Sequence, residues 1–102
     1  MSEEKTKVIF RKWYKKTDGH GVIAIFPEIP GDYNPATCSM YEHLGQHGSG
    51  DPQHVIEQTR PATPSEYTHL KRELKGIGYQ LLIIQRNRYA FLEARRAELA
   101  RT

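Results

Sequence analysis

Between Lys7 and Lys16 apolar side chains fall on both sides of an extended chain. Val8, Phe10 and Tyr14 share one face; Ile9, Arg11 and Trp13 share the other. Neither face is cleanly polar, so the pattern predicts a strand partly covered on both sides. Val22–Phe26 is a second apolar run of strand length. The cluster Thr17-Asp18-Gly19-His20-Gly21 between them contains a glycine that tolerates positive φ, and the pair reads as a β-hairpin. Pro27, Pro30 and Pro35 make the next segment a loop, because proline cannot sit in a central strand. From Thr37 to Leu44 the pattern alternates again, with Cys38, Met40 and Leu44 on one face and Thr37, Ser39, Tyr41 and His43 on the other. A third strand is expected there, followed by a loop over Gly45–Pro52.

The second half is more helical. Gln53–Thr59 fits either a short helix capped by Asp51, with Pro52 in first position, or a strand around Val55-Ile56. Thr63-Pro64-Ser65-Glu66 has the form of a capping box, and Tyr67, Leu70 and Leu74 then recur as one buried stripe. Gly76 is expected to end this helix, with Ile77 making the hydrophobic contact of a glycine cap. Gly78 then releases the chain into a strand, Tyr79–Arg86. Its centre is apolar on both faces, which predicts a central place in the sheet. Asn87 suits the N-cap of a last helix running from Arg88 to about Arg101. That helix has an unusual wheel: Ala90, Ala94 and Ala97 form a small-residue face, while Leu92 and Leu99 share their stripe with Arg88 and Arg95. The expected fold is α+β: a small antiparallel or mixed sheet of about four strands, one packed helix (Pro64–Lys75) and a C-terminal helix. Residues 1–86 form the α+β domain, and residues 87–102 a C-terminal helix suited to association.

Length and charge narrow the classes. A chain of 102 residues has room for one core. The net charge of +3 is too weak to imply nucleic acid by itself, but it is uneven. Residues 52–102 hold 9 basic and 5 acidic groups, mostly as arginine against glutamate. A single cysteine, Cys38, excludes an internal disulfide and a cysteine-rich zinc module. The longest apolar run, Leu81-Leu82-Ile83-Ile84, is far too short to span a membrane, and the charged N-terminus lacks a signal-peptide core. A cytoplasmic protein without membrane partners is expected.

Chemically dense residues gather in Thr37–Asp51, which holds His43, His47, Cys38, Tyr41, Glu42 and Asp51 among glycines. Were the chain an enzyme, Tyr41, His43, His47 and Asp51 would be its acid–base set, since histidine beside a carboxylate moves protons near neutral pH. Were it to bind metal, His43, His47 and His54 would be the ligands, although their spacing matches no strong zinc pattern. The sequence favours neither, and no cofactor is expected. Cys38 alternates with Met40 and Leu44 and reads as buried rather than nucleophilic. Two basic regions suit contacts with a partner. Arg11, Lys12, Trp13, Tyr14, Lys15 and Lys16 interleave rings and charges, as single-strand nucleic-acid binders do. Arg88 and Arg95 lie on the last helix, and Gln46 and His47 add polar groups in the glycine loop.

Thr37-Cys38, the run Tyr41-x-His43-x-Gly45-Gln46-His47, Arg60-Pro61-Ala62-Thr63 and Gly76-Ile77-Gly78-Tyr79 together resemble small proteins of bacterial genomes, phages and other mobile elements. The likeness covers about residues 7–86 and brings no established activity or catalytic residue with it. It implies a compact domain with an accessory role in a mobile element. The expected function is a small non-enzymatic binding or regulatory protein acting on a host protein. The alternatives are a histidine- or metal-dependent phosphodiester hydrolase and a nucleic-acid-binding protein. Low apolar content and the C-terminal helix further predict a homodimer in which Asn87–Thr102 supply much of the contact.

Overall fold

The computed structural model describes residues 5–14, 21–42 and 47–101. In chain order they form β1 (Thr6–Trp13), β2 (Val22–Pro30), β3 (Cys38–Tyr41), β4 (His47–Gly50), α1 (Pro52–Glu57), β5 (Thr59–Pro61), α2 (Pro64–Ile77), β6 (Leu81–Ile83) and α3 (Tyr89–Ala100). Five strands lie in the order β4-β3-β2-β1-β5, each antiparallel to its neighbours. The sixth, β6, runs parallel to β1 on the edge that β5 also uses. Thr6–Val8 face Leu81–Ile83, and Arg11–Trp13 face Thr59–Pro61. The fold is α+β as expected, with a sheet of six strands rather than four. The hairpin of β1 and β2 is present, while its turn, 17–20, lies outside the described residues.

β1 is covered on both faces, as its double apolar pattern requires. Val8 and Phe10 pack with Val22, Ala24, Phe26 and Tyr41 beneath α2, which contributes Leu70, Leu74 and Tyr67. Phe10 and Tyr67 stack with ring centroids 4.5 Å apart. Ile9 packs on the other face with Ile23, Ile25, Cys38 and Met40, under Val55 and Ile56 of α1. α3 runs along β2 and buries Phe91 and Arg95, so this helix packs on the same sheet. Among the described residues no helix is long and apolar enough to cross a membrane.

Several expectations change. β2 runs on through Pro27 to Pro30, where a loop was expected; its pairing with β3 shifts register between Phe26 and Pro30, an irregularity that accommodates the prolines. His47–Gly50 is a strand, not a loop: β4 pairs with β3 through Tyr41↔His47 and Cys38↔Gly50. It is an edge strand with exposed side chains, so it carries no apolar alternation to read. The run Tyr79–Arg86 shrinks to Leu81–Ile83 and lies at an edge, not at the centre, because β1 gives the rest of that edge to β5. Gln53–Thr59 divides between both readings, α1 and then the start of β5. α2 continues past Gly76 to Ile77, and Gly78 is the cap, at φ 126°. The Gly78 N–H donates to the Leu74 and Lys75 carbonyls, and the Tyr79 N–H to that of Leu74. Tyr79 therefore packs back on the core, while Ile77 is left 53% exposed.

The start of α2 follows its sequence signature. Thr63 and Glu66 form both halves of a capping box. Glu66 also receives a two-pronged hydrogen bond from Arg60 of β5, at 2.9 and 2.6 Å, which ties strand to helix. The Arg60 guanidinium, helped by the Thr63 N–H, holds the Glu66 carboxyl at about 2, below its ordinary 4.5. A carboxyl lowered in the folded state stabilises the fold above its unfolded pKa, and this contribution disappears as the carboxyl protonates. Glu66→Gln is therefore expected to flatten the fall in stability between about pH 4.5 and pH 2, read from urea midpoints across that range; an unchanged slope would show that the pair is not linked to folding. Leu74, fully buried beneath the sheet, gives a second check. Leu74→Ala is expected to lower the unfolding free energy by about 2–5 kcal/mol in urea denaturation.

Candidate functional site

The chemistry-bearing segment folds into two separate arrangements. On the α2 side, Tyr41 of β3 and His47 of β4 are register partners, and their rings meet edge to face at 4.6 Å. The Tyr41 hydroxyl bonds Glu73 of α2, and His47 Nε2 lies 3.1 Å from the Tyr79 hydroxyl. Tyr79 in turn stacks on Phe26. The structure thus joins Tyr41 and His47, with Glu73 and Tyr79 as partners that the sequence pattern did not reveal. Tyr41 is buried, and the recess beside it holds only ≈ 120 Å³. His43 and Gln46 lie outside the described residues.

Asp51 is placed elsewhere. It caps α1, accepting a hydrogen bond from the Gln53 N–H at 3.0 Å, and it lines a cleft that neither Tyr41 nor His47 borders. His54 is exposed on α1. Among the described residues no group of three or more His, Cys, Asp or Glu side chains is placed to hold a metal ion. Cys38 is buried in the apolar cluster with Ile9 and Met40. Burial pushes its thiol up to about 12, although nearby Arg95 pulls the other way.

The basic hairpin is less exposed than its sequence implies. Arg11 is only 9% exposed. Its Nε donates to Thr59 Oγ1 at 2.9 Å and its Nη2 to the Ile56 and Thr59 carbonyls at 3.1 and 2.7 Å, so it fastens β1 to the last turn of α1. Trp13 is half-buried, with Nε1 donating to Glu42 at 3.1 Å. Tyr14 does face solvent, while Lys15 and Lys16 lie outside the described residues.

A recess of ≈ 540 Å³ lies beside α3, bounded by the loop Asn34–Ala36, the start of α1 and the residues from Asn87 to Arg96 that face it. The loop is held firmly. Asp32 accepts from the Asn34 N–H at 2.7 Å, from Thr37 Oγ1 at 3.1 Å and from Ser49 Oγ at 3.0 Å, which keeps its carboxyl below the ordinary value. Gly31 starts the loop where only hydrogen fits: a Cβ there would lie 2.6 Å from the Cys38 carbonyl oxygen and closer still to Ser49. Arg95 forms part of the cleft wall and is 4% exposed. Its Nε donates to the Pro35 carbonyl at 2.8 Å and its Nη1 to the Pro27 carbonyl at 2.6 Å. Arg88, Leu92 and Arg95 recur at helical spacing along this wall, with Arg96 beside them. A second recess of ≈ 510 Å³, lined by Lys7, Ile84, Gln85, Arg86, Arg88 and Phe91, continues from Arg88.

Asn87 does not cap α3. The N-cap is Arg88, without a side-chain hydrogen bond, and the first turn holds no acidic residue. The Asn87 Oδ1 is buried without a partner at the cleft. No family model matches this chain, and no curated protein or solved structure matches it significantly. The sequence stripe of Leu92 with Arg88 and Arg95 thus marks the cleft, whereas Asn34 and Gln53 on its far wall gave no signal of their own.

Cys38 offers a check on this arrangement. Alkylation by iodoacetamide near pH 8 is expected to be about a hundredfold slower or more in the folded chain than in the urea-unfolded chain, because only the thiolate reacts. Comparable rates would place the thiol in contact with solvent.

Proposed function

We propose that this chain is a non-enzymatic binding or regulatory protein that acts on another protein, a host protein in the mobile-element setting its sequence resembles, through the side of the molecule that carries α3. The observation that carries this reading is the cleft wall of Arg88, Leu92 and Arg95, opposite a loop braced by Asp32. Binding sites are concave, largely preformed, and combine apolar walls with a few placed polar groups. The wall matches that description. The residues suited to acid–base chemistry have other tasks: Tyr41 bonds Glu73, His47 meets Tyr79, and Asp51 caps α1. That division weighs against a hydrolase built from them. The engagement of Arg11 with the Ile56 and Thr59 carbonyls weighs likewise against a nucleic-acid surface on the first hairpin.

Self-association belongs to the same proposal. Ala90 and Ala97 lie on the exposed side of α3, where a second copy can approach closely. A photo-crosslinking residue in place of Tyr89, which is 70% exposed at the cleft, is expected to give discrete adducts in a bacterial lysate; the same residue in place of Tyr14 is expected to give none. An adduct of twice the chain mass would identify the homodimer. Absence of adducts at Tyr89, or equal adducts at both positions, would remove the α3 side as the contact surface.

A further inference from the structure

Arg95 has an unusual electrostatic position. Buried arginines are ordinarily paired with carboxylates, because an uncompensated charge out of water is costly. Arg95 is 4% exposed, yet among the described residues no carboxylate pairs with it. Two backbone carbonyls accept from its Nε and Nη1 and hold the guanidinium plane in place. Nothing among the described residues accepts from Nη2, and the residue lines the cleft. One edge of a fixed, planar cation is therefore left for an acceptor from outside the chain.

Two independent features strengthen the same field. The first turn of α3 has no side-chain cap and no acidic residue, so its positive end is uncompensated where Arg88 and Tyr89 meet the cleft. Arg88 and Arg96 flank the opening, Arg96 in an exposed ion pair with Glu93 at 3.0 Å, and Asp51 is the one carboxylate on the lining. Asp51 and the walls also select the kind of anion. A run of phosphates would meet the Asp51 charge and gain little from Pro35, Leu92 and Tyr89. A single carboxylate matches the guanidinium edge, and its neighbouring residues can use the apolar walls.

We propose that the cleft beside α3 receives a carboxylate-bearing segment of a partner polypeptide. Arg95 is the preorganised anchor, and Arg88 and Arg96 supply the surrounding positive field. This assignment rests on the reading of the α3 side as the binding surface and names the chemistry recognised there. Because the guanidinium is already held by Pro27 and Pro35, little ordering remains to be done on binding.

The test uses the full chain, 15N-labelled and titrated with a pool of acetylated, amidated decapeptides that carry glutamate at fixed positions among apolar residues. A second pool carries glutamine instead. The Arg95 Nε–H resonance is expected to shift with the glutamate pool and not with the glutamine pool. The double variant Arg88→Glu with Arg96→Glu, both exposed positions that leave the Arg95 anchor intact, is expected to weaken binding by about tenfold or more, while Lys75→Glu on α2 leaves it unchanged. Equal binding of the two pools, no shift with either, or full affinity in the double variant would overturn the proposal. So would an oligonucleotide that binds the cleft more tightly than the glutamate pool and loses that binding in the double variant. If Tyr89 crosslinks a partner but the glutamate pool does not bind, the ligand class fails and the binding surface stands. If the glutamate pool binds but Tyr89 crosslinks nothing, the carboxylate chemistry stands and the reading of the α3 side as a contact surface for another protein is overturned.

Discussion

The structure depends on a single strand edge that two segments must share. β1 pairs with β2 along one side, and its other side is divided. Its first residues receive β6 in parallel, and its last receive β5 in antiparallel sense. Each buried backbone N–H and C=O needs a partner, and neither three-residue segment is long enough to satisfy the edge alone. This division explains the path of the chain. The chain must leave β5, cross one face of the sheet as α2, and return to the same strand at its opposite end. The Gly78 turn and the Thr63 cap are the two corners of that detour.

Two buried arginines then join the helices to this frame, by the same device. Arg11 donates to the Ile56 carbonyl of α1 and the Thr59 carbonyl of β5, and Arg95 donates to the Pro27 carbonyl, where the β2–β3 register shifts, and to the Pro35 carbonyl in the loop before β3. Carbonyl oxygens have lone pairs to spare at chain bends, where no ladder uses them. The devices differ in what remains. Arg11 adds a side-chain acceptor, Thr59 Oγ1, while Arg95 has no third acceptor among the described residues and borders open space. A structural fastening and the proposed recognition group thus arise from one kind of interaction, distinguished by what lies beyond the guanidinium.

Much of this architecture was legible in the residues. The double apolar pattern of β1, the capping box of α2 and the burial of Cys38 follow from local side-chain chemistry. What escaped was set by partners distant in sequence. β4 has no apolar face, so only its ladder to β3 defines it. The apolar run Leu81–Ile84 looked central, but apolarity reports burial and not how many strands flank a segment. Asn87 has the ideal chemistry for an N-cap and lies one residue too early. For the site, the arginines interleaved with leucines on α3 were visible as an anomaly of the helical wheel. The reason for the anomaly was not, because the carbonyls that hold Arg95, Pro27 of β2 and Pro35 of the following loop, are distant in sequence.

The divided edge of β1 also governs the order in which the fold can assemble. Thr6 meets Leu81, and the contacts between them close most of the chain into one loop. Pairings of such long sequence separation form late and slow the search for the native state. The hairpin of β1 and β2 and the capped helix α2 can form from local contacts, but the sheet is finished only when β6 docks. α3 follows β6 in the chain, so its arginine wall comes to face the braced loop only through tertiary docking. On a ribosome, the cleft beside α3 is therefore completed only after β6 has docked, and a chain stalled before Leu81 would present a hairpin with an open edge instead.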